Sequence, residues 1–446
     1  MPKPRKLGTI LTNLSHSDSH HPRFQPLIHE FRRDFNAKFT QSAYNELQEL
    51  LAHRSGGPVR FRVAETPIFL PKSVLDEMAD LGAAMTNYLI ASPEHLAGAQ
   101  RALPQDYAVG RQNAHPHFLT ADFALVRTRT GELAPRLVEI QAFPSVFGYQ
   151  VELCKAYREV FDLPGSLRMF LSGLDDGSYW ELLRRTIVGK HDPENVILSE
   201  VDPVHQKTFA DFEVMRRRLG IAVVDVMSIE PERASLYYRG EGGRRIPIHR
   251  IYNRAIADEL ISRNLRLPFD LSGPWDVEWA GHPNWYFLIS KYSIPFLSRS
   301  GLFPAVPPTR FVDEFLEGSG ERELIAEGIE MPASSDSERS YDNLLLKPLF
   351  SFAGKGIEFA PTRRRLEEIP PNERKTHIVQ QRMHFEPTIE TPFGLTQAEI
   401  RILYVWPDDG ELTPALALVR LGRGKMMGVD HNKNQEWVGG SAAFYV

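Results

Sequence analysis

The sequence predicts an α/β fold, with α+β elements, in which a parallel βαβ module is combined with antiparallel hairpins. Apolar segments at 196–201 and 221–226 flank a helical pattern that ends at Gly220, which is the order of a βαβ unit. Elsewhere, pairs of apolar segments are separated by short polar or glycine-containing turns, as in β-hairpins. At 446 residues, the chain is long enough for two or three domains with substantial cores.

The composition indicates a globular protein. Hydrophobic residues make up 42% of the chain and charged residues 24%, and the net charge of −5 lacks the basic excess of a general nucleic-acid binder. The single cysteine, Cys154, excludes an intramolecular disulfide and a cysteine-based metal cluster and favours a reducing compartment. No apolar run reaches the length of a membrane span, and the first residues lack the apolar stretch of a signal peptide. We therefore expect a cytoplasmic protein without a nucleic-acid or membrane partner, and the oligomeric state stays open.

The first segment with candidate functional residues is a predicted hairpin of strands 121–128 and 135–143. Asp122 begins one strand, while Glu139 and Gln141, two positions apart, project from the same face of the other. Carboxylate and amide oxygens are ligands that Mg²⁺ prefers, and a charge inside an apolar strand is costly to bury unpaired. The pattern favours a metal site over a solvated sheet face. The hydroxyl of Ser145, in the turn that follows, is a candidate to bind a substrate carboxylate.

The βαβ module lacks a phosphate-binding fingerprint, so we expect it to bind substrate or to support the site. Arg250 and Arg254 lie around the end of a later strand. Either guanidinium could bind a substrate carboxylate through two hydrogen bonds, or both could form surface ion pairs. Further along the chain, Lys291 occurs in the otherwise apolar amphipathic segment 282–297, where a lysine usually extends its ammonium group to the surface.

The segment NLLLKPLFSFAGKGIEF, 343–359, predicts a strand, a flexible loop and a second strand. Lys347 leaves the first strand, where its ammonium group could contact a phosphate. Gly354 and Gly356 would let backbone N–H groups approach phosphate oxygens closely. The pattern is that of a nucleotide clamp, and the alternative is a β-hairpin with a solvated lysine.

The last part of the chain adds three more strands with polar residues. The strand at 376–381 ends in Gln380 and Gln381, where an amide and a strand edge could contact a purine. Alternation in the next strand places Glu399 and Arg401 on one face, and Arg420 lies on the strand after it.

Taken together, these segments resemble the ATP-grasp ligases, and most closely the synthetase domain of glutathionylspermidine synthase, in which the ATP-grasp fold is circularly permuted. Segment 344–359 resembles the family's phosphate-covering hairpin, and 282–297 its segment with an ATP-binding lysine. Segment 121–145 is similar to its metal hairpin and 376–381 to its adenine-binding strand. The metal hairpin precedes the lysine hairpin by some two hundred residues, as it does in the permuted group.

The resemblance implies a circularly permuted ATP-grasp fold with an inserted Rossmann-like βαβ module that precedes the nucleotide-binding part. It divides the chain into N-terminal helices with the metal hairpin (1–190), a Rossmann-like substrate module (191–300) and a nucleotide-binding subdomain (301–446). The implied activity is ATP- and Mg²⁺-dependent formation of an amide from a carboxylate and an amine, through an acylphosphate. The small-molecule or peptide substrates are not identified.

The resemblance, together with the residue patterns, assigns roles to individual side chains. ATP would be bound by Lys291, Lys347, Gly354, Gly356, Gln380 and Gln381. Asp122, Glu139 and Gln141 would bind one or two Mg²⁺ ions. Arg401 and Arg420 would stabilise the acylphosphate, and Ser145 and Arg254 would bind substrate.

Two departures from the family pattern keep other functions open. Gln141 stands where the family has Asn, and Thr120 stands where glutathionylspermidine synthases have a substrate-binding Arg. A second hypothesis is phosphotransfer without ligation. A third is a relative without ligase activity, which binds nucleotide or a partner protein.

Overall fold

The computed structural model describes residues 29–104, 107–128, 130–331, 338, 340–350, 356–424, 426–427, 432 and 434–446. Within these ranges the chain is a mixed α/β structure, and none of its helices is both long and apolar enough to cross a lipid bilayer. The helices are His29–Lys38, Gln41–Arg54, Lys72–Ala91, Pro93–Ala102, Phe147–Val160, Asp176–Ile187, Phe209–Leu219, Ala257–Ser262, Trp285–Leu288, Ser293–Arg299, Val312–Leu316, Ser319–Ala326 and Arg363–Glu367.

A central seven-stranded sheet contains the predicted metal hairpin and the last strands of the chain. The strands are β1 (Ile68–Leu70), β2 (Phe118–Arg127), β3 (Leu133–Ala142), β15 (Ile389–Thr391), β16 (Gly394–Val405), β17 (Thr413–Gly422) and β18 (Gly439–Tyr445). In space their order is β1-β18-β17-β16-β2-β3, and β15 pairs with β16.

Helix Lys72–Ala91 covers part of the central sheet. Leu75, Met78, Met85 and Leu89 recur at helical spacing, are almost fully buried and belong to the same core as the apolar side chains of the sheet. Burial of this stripe explains why the segment forms one long helix.

The predicted βαβ unit is confirmed. β4 (Val196–Glu200) and β5 (Ala222–Asp225) are parallel, and helix Phe209–Leu219 connects them. The helix ends at Gly220, whose φ of +74° is a left-handed conformation that favours glycine. β9 (Arg250–Asn253) and β10 (Glu278–Ala280) complete this sheet, whose order is β10-β9-β4-β5. A separate antiparallel sheet contains β6 (Glu230–Glu232), β7 (Ser235–Arg239) and β8 (Arg245–Ile248).

A four-stranded sheet, here called the clamp sheet, carries Lys347. Its strands are β11 (Thr309–Phe311), β12 (Leu344–Pro348), β13 (Glu358–Phe359) and β14 (His377–Gln381), in the order β11-β14-β12-β13. β12 and β13 pair antiparallel, so the two strands predicted around the clamp loop are confirmed.

Candidate functional site

A cavity of about 340 Å³ is lined by residues of both the central sheet and the clamp sheet. Its polar wall includes residues from five separate parts of the sequence: Asp122, Glu139, Lys291, Lys347, Glu399 and Arg420. Five of these six belong to the predicted site, and the fold therefore brings them together around one cavity.

Two buried lysines form the cationic part of this wall. Lys347 and Lys291 each expose only 5% of their surface. The Nζ atom of Lys347 donates a hydrogen bond to Oε1 of Gln380 at 2.5 Å, because Gln380 is paired with Leu345, two residues before Lys347 on β12. The Nζ atom of Lys291 lies 3.9 Å from Oε1 of Glu139. The amphipathic pattern alone predicts that Lys291 extends to the surface. The structure instead shows a buried side chain.

The electrostatic environment disfavours the charged form of Lys347. Burial lowers its pKa to about 8, the Glu139 carboxylate opposes this effect, and the positive charge of Lys291 adds to it. A negatively charged ligand in the cavity would stabilise the charged ammonium group.

The face of the central sheet that borders the cavity carries a cluster of ion pairs. Arg401 is paired with Asp122 across β16 and β2, and Glu399 is paired with Arg420 across β16 and β17. Oδ1 of Asp122 accepts a hydrogen bond from Nε of Arg401 at 2.7 Å. Oδ2 of Asp122 accepts from Nη2 of both Arg401 and Arg420 at 2.6 Å. Alternation along the strands predicts that Glu399 and Arg401 share a face, and the structure confirms it.

Glu399 was not among the predicted site residues. It is 5% exposed, and its Oε1 forms an ion pair with Nη2 of Arg420 at 2.7 Å. Burial raises the pKa of Glu399; Arg420 opposes this rise, and the carboxylate of Asp122 adds to it. The signal in the sequence is its position two residues before Arg401 on an alternating strand.

Gln141 and Glu139 lie side by side on β3, as predicted. The Gln141 amide satisfies both neighbours when its oxygen accepts from Nη2 of Arg401 at 3.0 Å and its nitrogen donates to Oε1 of Glu139 at 2.9 Å. In the described part of the chain, no group of three or more His, Cys, Asp or Glu side chains is arranged to hold a metal ion. The assignment of Asp122, Glu139 and Gln141 as metal ligands stays a prediction.

The lining of the cavity also includes a set of apolar side chains. These are Val138, Leu345, Ile357, Phe359, Met383, Phe385, Met426 and Met427. Gln380 is fully buried, and its amide nitrogen has no hydrogen-bond partner within the described ranges. Gly356 has a φ of +77°, which favours glycine, whereas Gly354 lies outside the described residues.

Sequence comparison finds no matching family model and no matching curated protein. The structure is similar to that of a glutathione synthetase-like effector from Globodera pallida in its apo form, with a TM-score of 0.52 and 9% sequence identity. The match covers 91% of this chain and 96% of the effector. This chain shares the fold of that effector. A structure of a candidate gamma-glutamylcysteine synthetase from Methylobacillus flagellatus matches with a TM-score of 0.33 and 14% identity over 78% of this chain and 84% of that one, which is too low to support an argument.

Neither of the two predicted substrate-binding residues lines the cavity: Ser145 lies in the turn after β3, and Arg254, which follows β9, contacts that turn. Nη1 of Arg254 donates hydrogen bonds to the carbonyl oxygens of Phe143 and Pro144, at 3.2 and 2.7 Å. The hydroxyl of Ser145 is buried and has no hydrogen-bond partner within the described ranges. Arg250, the other arginine considered, forms ion pairs with Glu278 and Asp408.

Proposed function

We propose that this protein is an ATP- and Mg²⁺-dependent ligase that joins a carboxylate to an amine through an acylphosphate intermediate, and that its ATP-grasp fold is circularly permuted as in glutathionylspermidine synthase. The main support is the cavity, which gathers two buried lysines and three carboxylates from distant parts of the sequence. Burying several charged side chains is costly, and clusters of buried charges around a cavity are typical of functional sites.

The charged and apolar side chains of the lining suit the two ends of ATP. Lys291 and Lys347 would contact the phosphate oxygens, and apolar side chains of the lining would pack against the adenine ring. Gln380 and Gln381 end the strand beside Lys347. The buried amide nitrogen of Gln380, which has no hydrogen-bond partner among the described residues, could donate to a ligand. The loop that contains Gly356 would cover the triphosphate and exclude water.

The donor set fits a Mg²⁺ ion that is bound partly by the nucleotide. Mg²⁺ sites in phosphate-transfer enzymes commonly use one or two carboxylates together with substrate phosphates. Glu139 and Glu399 line the cavity beside the lysines and would supply these carboxylates, while Asp122 and Gln141 contact Arg401. When bound, the ion would neutralise charge on the phosphates.

The side chains of this chain would mainly orient the reactants and stabilise charge. A substrate carboxylate oxygen forms a bond to the γ-phosphorus of ATP as the bond to the β,γ-bridging oxygen breaks, which releases ADP. Arg401 and Arg420, held in place by Asp122, would stabilise the negative oxygens of the acylphosphate. An amine then attacks the acyl carbon, phosphate leaves, and the amine proton passes to phosphate or solvent.

The test is ADP release by the purified protein with Mg²⁺ and ATP, across a panel of amino acids, short peptides and polyamines, with mass spectrometry of the products. Release that requires an acid and an amine and yields their condensed mass would support ligation. Lys347→Ala and Glu139→Ala should each lower turnover by about 100-fold if each side chain contributes about 3 kcal/mol at the transition state. Lys375→Ala, at an exposed position beside the clamp sheet, is the matched control. Full turnover in both site variants would contradict the assignment.

One observation favours the alternative of a nucleotide-binding relative without ligase activity. The oxygens of Asp122, and that of Gln141, face arginine side chains. Nucleotide binding that is independent of Mg²⁺, with no ADP release from any acid and amine pair, would support this alternative. ADP release with a phosphorylated product, unaffected by amines, would instead indicate phosphotransfer. The cytoplasmic location stays a prediction.

A further inference from the structure

We infer that Asp211 and Arg254 are positioning residues that hold the turn 143–146. In this position the turn would present the substrate carboxylate, which accepts the phosphoryl group in the proposed ligation, to the nucleotide cavity. The inference rests on the proposed function for its kinetic part. The holding of the turn is a structural statement that can be tested without turnover.

The turn has an unfavourable backbone conformation at two positions. Phe143 has a φ of +86° and Val146 a φ of +72°, and neither is glycine. Left-handed conformations disfavour residues with a Cβ atom, and a β-branched residue such as valine most of all. Such conformations persist only where the surroundings enforce them, and they concentrate at functional sites.

Asp211 is one of the two side chains that hold this backbone conformation by hydrogen bonds. It is fully buried in helix Phe209–Leu219 of the βαβ module. Its Oδ2 accepts the backbone N–H of Val146 at 3.0 Å, and its Oδ1 accepts those of Gly148 and Tyr149 at 2.8 and 2.9 Å. These N–H groups begin helix Phe147–Val160, so their anion-binding capacity is already used by Asp211 and is not free for substrate.

Gly148 favours this close approach. A Cβ atom at position 148 would lie 3.0 Å from the side chain of Val214 and 3.3 Å from Oδ1 of Asp211, so these neighbours would have to move by a few tenths of an ångström. Val214 and Asp211 both belong to helix Phe209–Leu219, which therefore packs tightly against the turn.

Arg254 is the second side chain that holds the turn. It directly follows β9, is 7% exposed, and donates through Nη1 to the carbonyl oxygens of Phe143 and Pro144. Its own backbone N–H donates to the carbonyl of Ser199 on β4 at 2.7 Å. Burial raises the pKa of Asp211, and the attraction between its carboxylate and the positive charge of Arg254 opposes this rise.

This turn lies between the nucleotide cavity and one edge of the βαβ sheet. On one side it continues β3, and Glu139 in the cavity wall lies four residues before Phe143, or about 13 Å along an extended strand. On the other side it is bonded to Arg254, which lies at the carboxyl ends of the parallel strands β9 and β4. Open α/β sheets bind ligands at this edge. A substrate bound at that edge would be positioned relative to the cavity by the turn.

The experiment compares wild type with Asp211→Asn and with Asp175→Asn. Asn keeps the shape of the side chain but turns an amide donor toward backbone N–H groups. Asp175 is the control because its carboxylate also accepts an N–H at the start of a helix, Asp176–Ile187, but at an exposed position. In Asp211→Asn, the amides of residues 146–149 should exchange with deuterium about tenfold faster. ATP affinity should stay within about twofold, while kcat/KM for the carboxylate substrate falls about tenfold or more. Asp175→Asn should change neither the amide exchange at 146–149 nor the ATP affinity nor kcat/KM.

Two results would overturn the inference. One is unchanged exchange at 146–149 and unchanged kcat/KM in Asp211→Asn. The other is faster exchange throughout the protein with a parallel loss of ATP affinity, which would indicate a general structural role. If wild type shows no turnover with any acceptor, the ligase proposal fails, and local exchange together with ATP affinity still decides whether Asp211 holds the turn.

Discussion

Replacing Lys347 with methionine should stabilise the ligand-free protein at neutral pH and weaken its binding of ATP. The Lys347 side chain is buried, and its pKa of about 8 lies below the ordinary value of 10.5. A lowered lysine pKa means that the charged form is less stable in the folded than in the unfolded protein. Methionine has a similar length and no charge, so it removes this cost.

The magnitude depends on pH in a defined way. At about 1.4 kcal/mol per pKa unit, the charged lysine costs about 3 kcal/mol at pH 7 and about 1.4 kcal/mol at pH 9.5, because the folded protein loses the proton first. The cost is complete below pH 8 and disappears as the pH approaches 10.5. The loss of the hydrogen bond to Gln380 opposes the gain by about 1–3 kcal/mol at either pH. The difference between the two pH values, about 2 kcal/mol, is independent of that loss.

Urea-induced unfolding, followed by tryptophan fluorescence at pH 7 and 9.5, measures this difference. Calorimetric titration with Mg²⁺ and ATP should show an affinity lowered by about 10- to 100-fold, which is the value of a hydrogen bond to a charged group. The exposed Lys375→Met is the control for both measurements. An equal change in stability at the two pH values would contradict the stated cost of burying the Lys347 charge. An unchanged affinity for ATP in Lys347→Met would contradict the contact between Lys347 and the nucleotide.

Three further predictions concern other ion pairs of the protein. Glu399→Gln should lower ATP affinity about tenfold in the presence of Mg²⁺ and not in its absence, measured by calorimetry, if Glu399 helps to bind the ion; equal losses in both conditions would contradict this role. Arg401→Met should lower the free energy of unfolding by about 3 kcal/mol in urea, because it removes the partner of the buried Asp122; a loss below about 1 kcal/mol would show that Arg420 suffices to pair Asp122. Hydrogen bonds from His117 and the charge of Arg250 hold the pKa of Asp408 well below its usual value, so Asp408 stabilises the fold above about pH 4 and loses this effect as the pH falls. Asp408→Asn should therefore reduce the decline of the unfolding midpoint between about pH 4 and pH 2, and an unaltered decline would show that other groups cause it.

Much of the local structure follows from periodicity in the sequence. The hairpin around Glu139, the βαβ unit that ends its helix at Gly220, and the strands around Lys347 are all confirmed. In each case the signal is local, because alternation selects a strand and a glycine selects a left-handed helix end.

The composition of the site is also partly visible in the sequence. Lys291, Lys347, Asp122, Glu139 and Arg420 all line the cavity. Their grouping was inferred from a resemblance of motifs and their order, whereas spacing alone could not predict that positions almost three hundred residues apart meet.

The sequence by itself determined the elements and the residue types that each face of a strand presents, since those depend on neighbours along the chain. Only the tertiary structure decided how these groups are paired. Arg254, which follows a strand of a different sheet, contacts the turn after β3. Asp122 contacts two arginines because β16, which carries Arg401, lies between β2 and β17, which carries Arg420. The register between strands that are distant in sequence determines which charged side chains meet, and this pairing matters because burying a charge without a polar partner is costly.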